Sequence, residues 1–394
     1  MVRKLFSLII ALLVVIAGWT AYHRYHESAQ EPEAVQVISP PPGQSQQQHL
    51  VITAAGDCLM HNTQIWAGQE GQGFNFDHFF QDIKPYLEEG QITSTCFEAP
   101  MAGAEAGYAG YPLFNSPDAM ADTFKNAGFD IIATAHNHIL DRGVKGALRT
   151  MEVLKSRGLE PLGTYSSAAD CRKPVIKAAN GIKVGYLGYT YSTNGIPVPE
   201  NYDFLVNFIE PDKIVEDIQK LRPEVDIVVL VLHWGVEYTP QPTAEQKRMA
   251  RMFLEAGADV ILGSHPHVIQ TMEVLNINDQ PKFVIYGMGN FISHQKGPER
   301  NSGIVLKIEF SKDMRTNHTK IVKVDYTPTF SHHYQENGRT RFRVVAIEDT
   351  IERIQEGRET VFTSEDIPML QAVLDDTRRR LGPAWSGWEM PSNE

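Results

Sequence analysis

The sequence predicts an α/β protein whose central sheet is largely parallel and buried on both faces. Short hydrophobic runs alternate with helical segments over most of the chain, which is typical of parallel strands that helices cover on both sides. Most of these runs end in a glycine or a polar residue. We expect strands at residues 50–55, 91–97, 129–133, 183–189, 226–232, 260–262 and 283–286.

Helices are expected between these strands, and a β-rich region is expected after them. Residues 74–87 carry phenylalanines and aliphatic residues on one side of a helix-bearing segment, and Pro117 introduces a further helix. After residue 301 we expect antiparallel strands that complete or cap the sheet. The predicted helices cover residues 117–125, 148–154, 244–254 and 363–381, and the late strands cover 304–310, 320–326 and 341–347.

Composition indicates a globular protein and argues against a nucleic-acid partner. The 394 residues are 42% hydrophobic and 21% charged, and the net charge is -12. Such an acidic chain offers no concentrated basic surface for a phosphate backbone. Its three cysteines are too few for a disulfide scaffold.

The first residues predict a membrane anchor. Arg3 and Lys4 precede residues 5–22, which contain no charged side chain and are just long enough to cross a bilayer. We favour an uncleaved signal anchor at residues 1–24 over a removable signal peptide, because no small-residue cleavage site follows. Residues 25–48 then form a Pro- and Gln-rich linker. The rest of the chain is expected outside the cytoplasm, on a single-pass membrane protein.

Polar residues with metal-binding side chains follow the predicted strands. In open parallel sheets, binding sites collect beyond the carboxyl ends of the strands. Seven candidates fall at that end, namely Asp57, Glu98, Asn137, His138, His233, His265 and His267.

This mixture of donors suits a divalent transition metal. Carboxylate oxygens, an amide oxygen and imidazole nitrogens suit Mn, Fe or Zn better than calcium or a thiolate zinc site. Metals in such a site polarise phosphoryl oxygens and activate water. A histidine that binds no metal is free to protonate a leaving group.

Six motifs together resemble one family. The chain is similar to the CapA family, which is associated with poly-γ-glutamate capsule biosynthesis and belongs to the calcineurin-like metallophosphoesterase superfamily. The similarity runs in order through roughly residues 51–291. It is carried by Gly56-Asp57, Phe97-Glu98-Ala99-Pro100, Asn137-His138 with Asp141 and Gly143, His233-Trp234-Gly235 with Glu237 and Tyr238, Gly263 with His265-Pro266-His267, and Gly289-Asn290-Phe291.

The resemblance implies a fold and a role for each candidate. It implies an αββα sandwich, which we place at residues 49–347, and we expect a helical extension at residues 348–394. Asp57 and His267 would bind a first metal, Glu98 would bridge, and Asn137, His233 and His265 would bind a second. His138 would be the acid or transition-state donor. Glu237 would orient a neighbouring histidine, and Asp141 would support the site or, equally, cap a helix.

Three positions depart from the family pattern. Leu59 stands where metallophosphoesterases usually have a histidine, so either one or two ions are compatible with the sequence. Cys96 and His136 replace asparagines of the capsule family. Cys58 and Cys96 could form a disulfide, supply a thiolate, or be buried and inert.

These patterns lead to one main functional hypothesis and two alternatives. We expect a membrane-anchored, metal-dependent phosphoesterase-like hydrolase that acts in the biosynthesis of capsule or another cell-envelope polymer. Its partners would be the membrane, the polymer or a phosphoester, and polymer synthase or export subunits. The alternatives are a non-catalytic member of a polymer synthesis or export complex, and an amide hydrolase or deacetylase.

Overall fold

The computed structural model describes residues 47–382 and the backbone of residues 388 and 389. The predicted anchor at residues 1–24 and the linker residues 25–46 lie outside this part of the chain. Within the described residues, no helix is both long enough and apolar enough to cross a membrane. The first strand begins at Gln47, close to the predicted start of the domain at residue 49.

The strands of the described residues are numbered in chain order. They are β1 Gln47–Cys58, β2 Gln69–Glu70, β3 Gly73–Phe74, β4 Ile92–Phe97, β5 Ile131–Ala133, β6 Glu160–Leu162, β7 Val175–Ala179, β8 Ile182–Thr190, β9 Ile227–His233, β10 Val260–Ser264, β11 Met272–Ile277, β12 Gln280–Ile285, β13 Asn290–Ile292, β14 Ser302–Asp313, β15 His318–Glu336, β16 Arg339–Ala346 and β17 Trp388–Glu389.

The α-helices of the same residues are numbered in the same way. They are α1 Asn62–Ala67, α2 Lys84–Leu87, α3 Ala119–Asn126, α4 Gly143–Ser156, α5 Pro211–Leu221, α6 Ala244–Ala256, α7 Ile347–Gln355 and α8 Ile367–Leu381.

The strands form two large sheets, whereas the hydrophobic pattern alone predicted one. The nine-stranded sheet has the order β16-β15-β14-β1-β4-β5-β6, with β13 beside β1 and β17 beside β15. Strands β1, β4, β5 and β6 are parallel, and β14, β15 and β16 are antiparallel, which confirms the prediction for the later part of the chain. The six-stranded sheet has the order β11-β12-β10-β9-β8-β7, and β8, β9, β10 and β12 are parallel.

The two sheets pack face to face. One core cluster contains Ile52 and Leu306 from the nine-stranded sheet together with Tyr186 and Val229 from the six-stranded sheet, all of them buried. Each sheet also buries its other face beneath helices. Side chains of α2, α3 and α4 pack on the larger sheet, and side chains of α5 and α6 pack on the smaller one. This agrees with the αββα arrangement that the resemblance implied, and it explains why the strands read as continuous hydrophobic runs.

Two predicted helices differ from those in the structure. Residues 74–87 form only a short 3₁₀ turn, Asp77–Phe79, and the single turn α2. Their phenylalanines are held by contacts with other aromatic rings, such as that of Phe80 with Phe291, rather than by a regular helix. The predicted C-terminal helix at 363–381 begins later, at Ile367, and α7 precedes it. Both α7 and α8 pack against Phe330 and Val345 of the larger sheet.

Candidate metal centre

The predicted ligands come together where parallel strands of both sheets end. Asp57 is near the end of β1 and lies beside Cys96 in register, and Glu98 follows β4 directly. His233 is the last residue of β9, and the loop after β10 carries the His265 and His267 side chains. Asp57, Glu98, Asn137, His233, His265 and His267 are each no more than 3% exposed.

Glu98 lies at the centre of this cluster. Its Oε1 atom is 2.9 Å from Nε2 of His233, and its Oε2 atom is 3.5 Å from Nε2 of His267. Glu98, His265 and His267 each place a donor atom within 4.8 Å of the others, and so do Cys96, Glu98 and His233. The two groups share Glu98. This position between two sets of donors fits the bridging role that the resemblance implied.

Several donor atoms of the cluster have no hydrogen-bond partner among the described residues. Both carboxylate oxygens of Glu98, Oδ1 of Asp57 and Nδ1 of His265 are buried and make no well-aligned hydrogen bond, although the Glu98 oxygens lie 2.9 Å from His233 and 3.5 Å from His267. A buried carboxylate without compensation costs several kcal/mol, roughly, unless a cation or donors satisfy it. Carboxylate and imidazole donors that converge in this way fit a divalent transition metal. The residues present therefore fit the group that the sequence predicted.

The surroundings shift the pKa values of the three histidines in different directions. Burial lowers the pKa of His233 to about 3 and that of His265 to about 2, so both rings are neutral, which is the form that binds metal. For His267, burial acts to lower the pKa, but the charges of Glu98 and Asp57 outweigh it and raise this pKa to about 9. Burial also raises the pKa of Asp57. A protonated His267 thus balances the carboxylates when no ion is bound.

Two polar residues orient His233 and His267. The sequence had indicated no role for either of them. Oγ of Ser264 is 2.9 Å from Nδ1 of His233, and Oδ1 of Asn290 is 3.0 Å from Nδ1 of His267. When Nδ1 is held in this way, Nε2 faces the cluster. Nε2 of His233 is also 3.0 Å from Oδ1 of Asn137. The signals were present in the motifs, since Ser264 precedes His265 and Asn290 lies in Gly289-Asn290-Phe291.

His138 lies at the edge of the cluster, where Asp141 holds it. Nδ1 of His138 is 2.8 Å from Oδ2 of Asp141, and the same oxygen accepts a hydrogen bond of 2.7 Å from the backbone N–H of Phe114. The His138 ring also packs edge-on against Phe114, with centroids 4.7 Å apart. Helix α4 has no side-chain cap at its start. Asp141 therefore supports His138 and does not cap the helix.

The backbone is strained at both histidines of the His-x-His motif. His265 has a φ of 92° and His267 a φ of 57°, in the left-handed region that favours glycine. Such conformations cost about 1–3 kcal/mol each and are typical of functional sites. Glycine is required just before them, because a Cβ atom on Gly263 would lie 1.9 Å from the carbonyl oxygen of Tyr286.

The sequence places this site in a family. Residues 51–295 match the family described as "Bacterial capsule synthesis protein PGA_cap". The chain belongs to this family. The resemblance read from the motifs is thereby confirmed, and all six candidate ligands lie within the matched residues of the PGA_cap family.

Two curated relatives carry capsule-related names. The capsule biosynthesis protein CapA of Bacillus anthracis is 27% identical over 328 residues, which cover 80% of this chain and 73% of that protein. The PGA biosynthesis protein CapA of Bacillus subtilis (strain 168) is 27% identical over 242 residues, which cover 60% of this chain and 62% of that protein. The chain thus spans less than two thirds of the length of the B. subtilis relative.

Two solved structures are similar to part of this chain. A phosphatase from Mycoplasma pneumoniae has a TM-score of 0.46 at 13% identity and covers 72% of this chain and 94% of its own. The NAD nucleotidase NadN of Haemophilus influenzae has a TM-score of 0.46 at 13% identity and covers 85% of this chain and 64% of its own.

The departures from the family patterns have clear structural outcomes. Leu59 is buried, and its apolar side chain offers no ligand. His136 is fully buried, and burial lowers its pKa well below the ordinary value. Its Nδ1 accepts a hydrogen bond of 3.2 Å from the backbone N–H of His138, so His136 supports the loop that carries the predicted acid.

The structure excludes one of the three alternatives for Cys58 and Cys96, namely the disulfide. Cys58 and Cys96 are free thiols. Cys96 packs in the core between the sheets, whereas Cys58 packs in the core beneath the helices, so the two side chains lie on opposite faces of one sheet. Burial raises the pKa of both thiols, and Sγ of Cys96 is 3.7 Å from Nδ1 of His233. A disulfide between them is excluded by this geometry.

The role that the sequence predicted for Glu237 stays a prediction. Its side chain is exposed and makes no hydrogen bond to a histidine within the part of the chain that the structure describes, but its charge helps to raise the pKa of His267. Ser264 and Asn290 occupy the positions beside the histidines instead. Glu237 lies in the loop after β9, next to Tyr238, whose backbone N–H donates a hydrogen bond to the carbonyl oxygen of Pro266.

Proposed function

We propose that this chain is a membrane-anchored, extracytoplasmic, metal-dependent hydrolase of the phosphoesterase type. Its role would be in the biosynthesis of poly-γ-glutamate capsule or of another cell-envelope polymer. The observation that carries the proposal is the buried set of unpartnered carboxylate oxygens and neutral imidazoles beside His138. Such a set is typical of a site that binds a cation.

The residues divide the chemistry between them. A bound Mn, Fe or Zn ion would supply Lewis-acid charge for a phosphoryl oxygen and make water a better nucleophile. Asp57 and His267 would hold one ion and Asn137, His233 and His265 a second, with Glu98 between them. His138, held by Asp141 at 2.8 Å, would give a proton to the leaving oxygen.

The membrane and the polymer are the proposed partners. The uncharged residues 5–22 after Arg3 and Lys4 support a single-pass anchor with the site outside the cytoplasm. An anchored hydrolase would meet a polymer at the site of its export. Contacts with polymer synthase or export subunits belong to the same proposal.

A second candidate function is a non-catalytic component of a polymer synthesis or export complex. Leu59 favours it, because an apolar side chain stands where related metal centres usually have a ligand. In that case the pocket would hold a polymer or partner without cleaving it. One ion per chain, bound without turnover, would support this candidate.

Metal content and turnover of the detergent-solubilised full chain test the proposal. We expect one or two ions per chain after purification without chelators, and metal-dependent release of phosphate from simple phosphomonoesters. His265→Ala should lose metal, and His138→Ala should retain metal but lose turnover. His318→Ala, at an exposed position, is the control for both. A folded wild-type protein that takes up no Mn, Fe or Zn would overturn the proposal.

A further inference from the structure

Arg300 stacks on an aromatic ring at the edge of the candidate metal centre. Its guanidinium carbon is 3.9 Å from the ring centroid of Tyr238, and the Tyr238 ring is 6.0 Å from that of His267. Nδ2 of Asn290 donates a hydrogen bond of 2.6 Å to the carbonyl oxygen of Arg300. Since Asn290 also contacts His267, one side chain joins the arginine backbone to a candidate ligand.

The charge of Arg300 is only weakly compensated by other side chains within the described residues. Its ion-pair partner is Glu299, a partly exposed neighbour at 3.7 Å, and its buried Nε atom has no hydrogen-bond partner there. Arg149 shows the contrast, because both of its terminal nitrogens bind the carboxylate of Asp118 at 2.7 Å. A partly exposed guanidinium whose terminal nitrogens make no hydrogen bond within the described residues is suited to an incoming anion.

Tyr238 provides a fixed support for this guanidinium. Its φ of 61° lies in the left-handed region, which a tyrosine rarely adopts, and its backbone N–H donates a hydrogen bond of 2.7 Å to the carbonyl oxygen of Pro266. The side chain is 39% exposed, so packing in the core does not explain the strained conformation. The strain instead fixes the ring between the His-x-His loop and Arg300.

We propose that Arg300 and Tyr238 form an anion subsite that binds a second acidic group, a carboxylate, of the molecule held at the metal centre. The inference rests on the proposed function only for the place where the reacting group lies. The binding of the carboxylate does not depend on that function. Two carboxylate oxygens match the planar fork of a guanidinium, and stacking on Tyr238 leaves the edge of that fork free. Substrates in which one aromatic ring separates a carboxylate from the reacting phosphate would therefore be preferred.

Two matched esters and one ligand test the subsite on the metal-loaded full chain. The esters are phenyl phosphate and 4-carboxyphenyl phosphate, which differ by one carboxylate. The ligand is tri-γ-glutamate, whose binding is measured by calorimetry without any need for turnover. The variants are Arg300→Gln, which removes the charge, and Arg300→Lys, which keeps it without the fork. Arg315→Gln, in the exposed turn between β14 and β15, is the matched control.

We expect Arg300→Gln to raise KM for 4-carboxyphenyl phosphate about tenfold and to weaken tri-γ-glutamate binding about tenfold, as for a lost charge-assisted hydrogen bond. Its KM for phenyl phosphate and its kcat for both esters should stay within twofold, and Arg300→Lys should be intermediate. Equal binding of tri-γ-glutamate by wild type and Arg300→Gln would overturn the inference. If the wild type cleaves neither ester, the proposed function fails, and the calorimetry alone decides the subsite.

Discussion

The carboxylate of Asp57 accepts a hydrogen bond of 2.9 Å from the backbone N–H of His265. Asp57 belongs to the nine-stranded sheet, and His265 follows β10 of the six-stranded sheet. One oxygen of a candidate metal ligand therefore also joins the two halves of the sandwich. The other oxygen of Asp57 is the buried atom without a partner. The structural contact and the proposed metal binding thus involve different atoms of one side chain.

This division predicts different results for two substitutions of Asp57. Asp57→Asn keeps an oxygen that accepts the bond from His265 but removes the charge, so we expect a folded protein with strongly reduced metal content. Asp57→Ala also leaves the buried N–H unpaired, which should cost about 1–3 kcal/mol of unfolding free energy. Chemical denaturation and elemental analysis of both variants measure these effects. Full metal content in Asp57→Asn would contradict the assignment of this ligand.

Asp141→Asn should separate turnover from metal binding. Asp141 contacts His138 at 2.8 Å, and its proposed role is to orient this residue. Loss of the oriented acid should lower kcat by about 100-fold, the low end of what general acid catalysis contributes. Metal content should not change. The measurement is kcat and metal per chain for both proteins, and a variant that loses its metal would show that Asp141 acts on the centre itself.

Gly263→Ala should destabilise the fold through a single close contact. The new Cβ atom would lie 1.9 Å from the carbonyl oxygen of Tyr286, which is backbone and cannot turn away. We expect a loss of about 3 kcal/mol or more, as for severe overpacking in a core. Gly73→Ala is the matched control, because the nearest atom to its Cβ would be at an ordinary 3.8 Å. Similar unfolding midpoints for the two variants would rule out the predicted contact.

Much of the candidate site was predictable from the sequence because only a few residue types can bind a metal. Asp57, Glu98 and His233 each end a hydrophobic run, and parallel strands bring such ends together. The division into two sheets was not predictable from the runs themselves. Ile52 and Val229 belong to one core cluster between the sheets, but a buried strand has the same pattern in one sheet or two.

Roles that depend on the direction of a side chain also could not be predicted from the sequence. Glu237 is four residues after His233 and resembles a supporting carboxylate, but its side chain is exposed and makes no hydrogen bond to a histidine within the described residues. Ser264 has a small hydroxyl that could have any role, and only its position 2.9 Å from His233 identifies it as an orienting residue. Spacing along the chain indicates which residues reach an edge of a sheet, but not which atoms face each other there.

The pH dependence of stability should come in part from His332, away from the metal centre. Burial, together with the charge of Arg343, lowers the pKa of His332 in the folded chain to about 4 from an ordinary 6.5, and its ring lies 3.9 Å from that of Phe362. Above pH 6.5 both folded and unfolded chains hold a neutral ring, so the group has no effect. Between pH 6.5 and 4 only the unfolded chain takes up the proton, so stability falls as the pH falls.

His332→Gln should therefore lose less stability than the wild type on acidification. Because the ring is partly exposed, we expect a difference of about 2 kcal/mol in the unfolding free energy lost between pH 7 and pH 4.5. Denaturant unfolding at the two pH values measures it, and exposed His318→Gln is the control. Parallel pH profiles for wild type and His332→Gln would mean that the folded chain protonates His332 freely. The acid sensitivity would then have to arise at other partly buried histidines such as His61, whose pKa burial lowers to about 4.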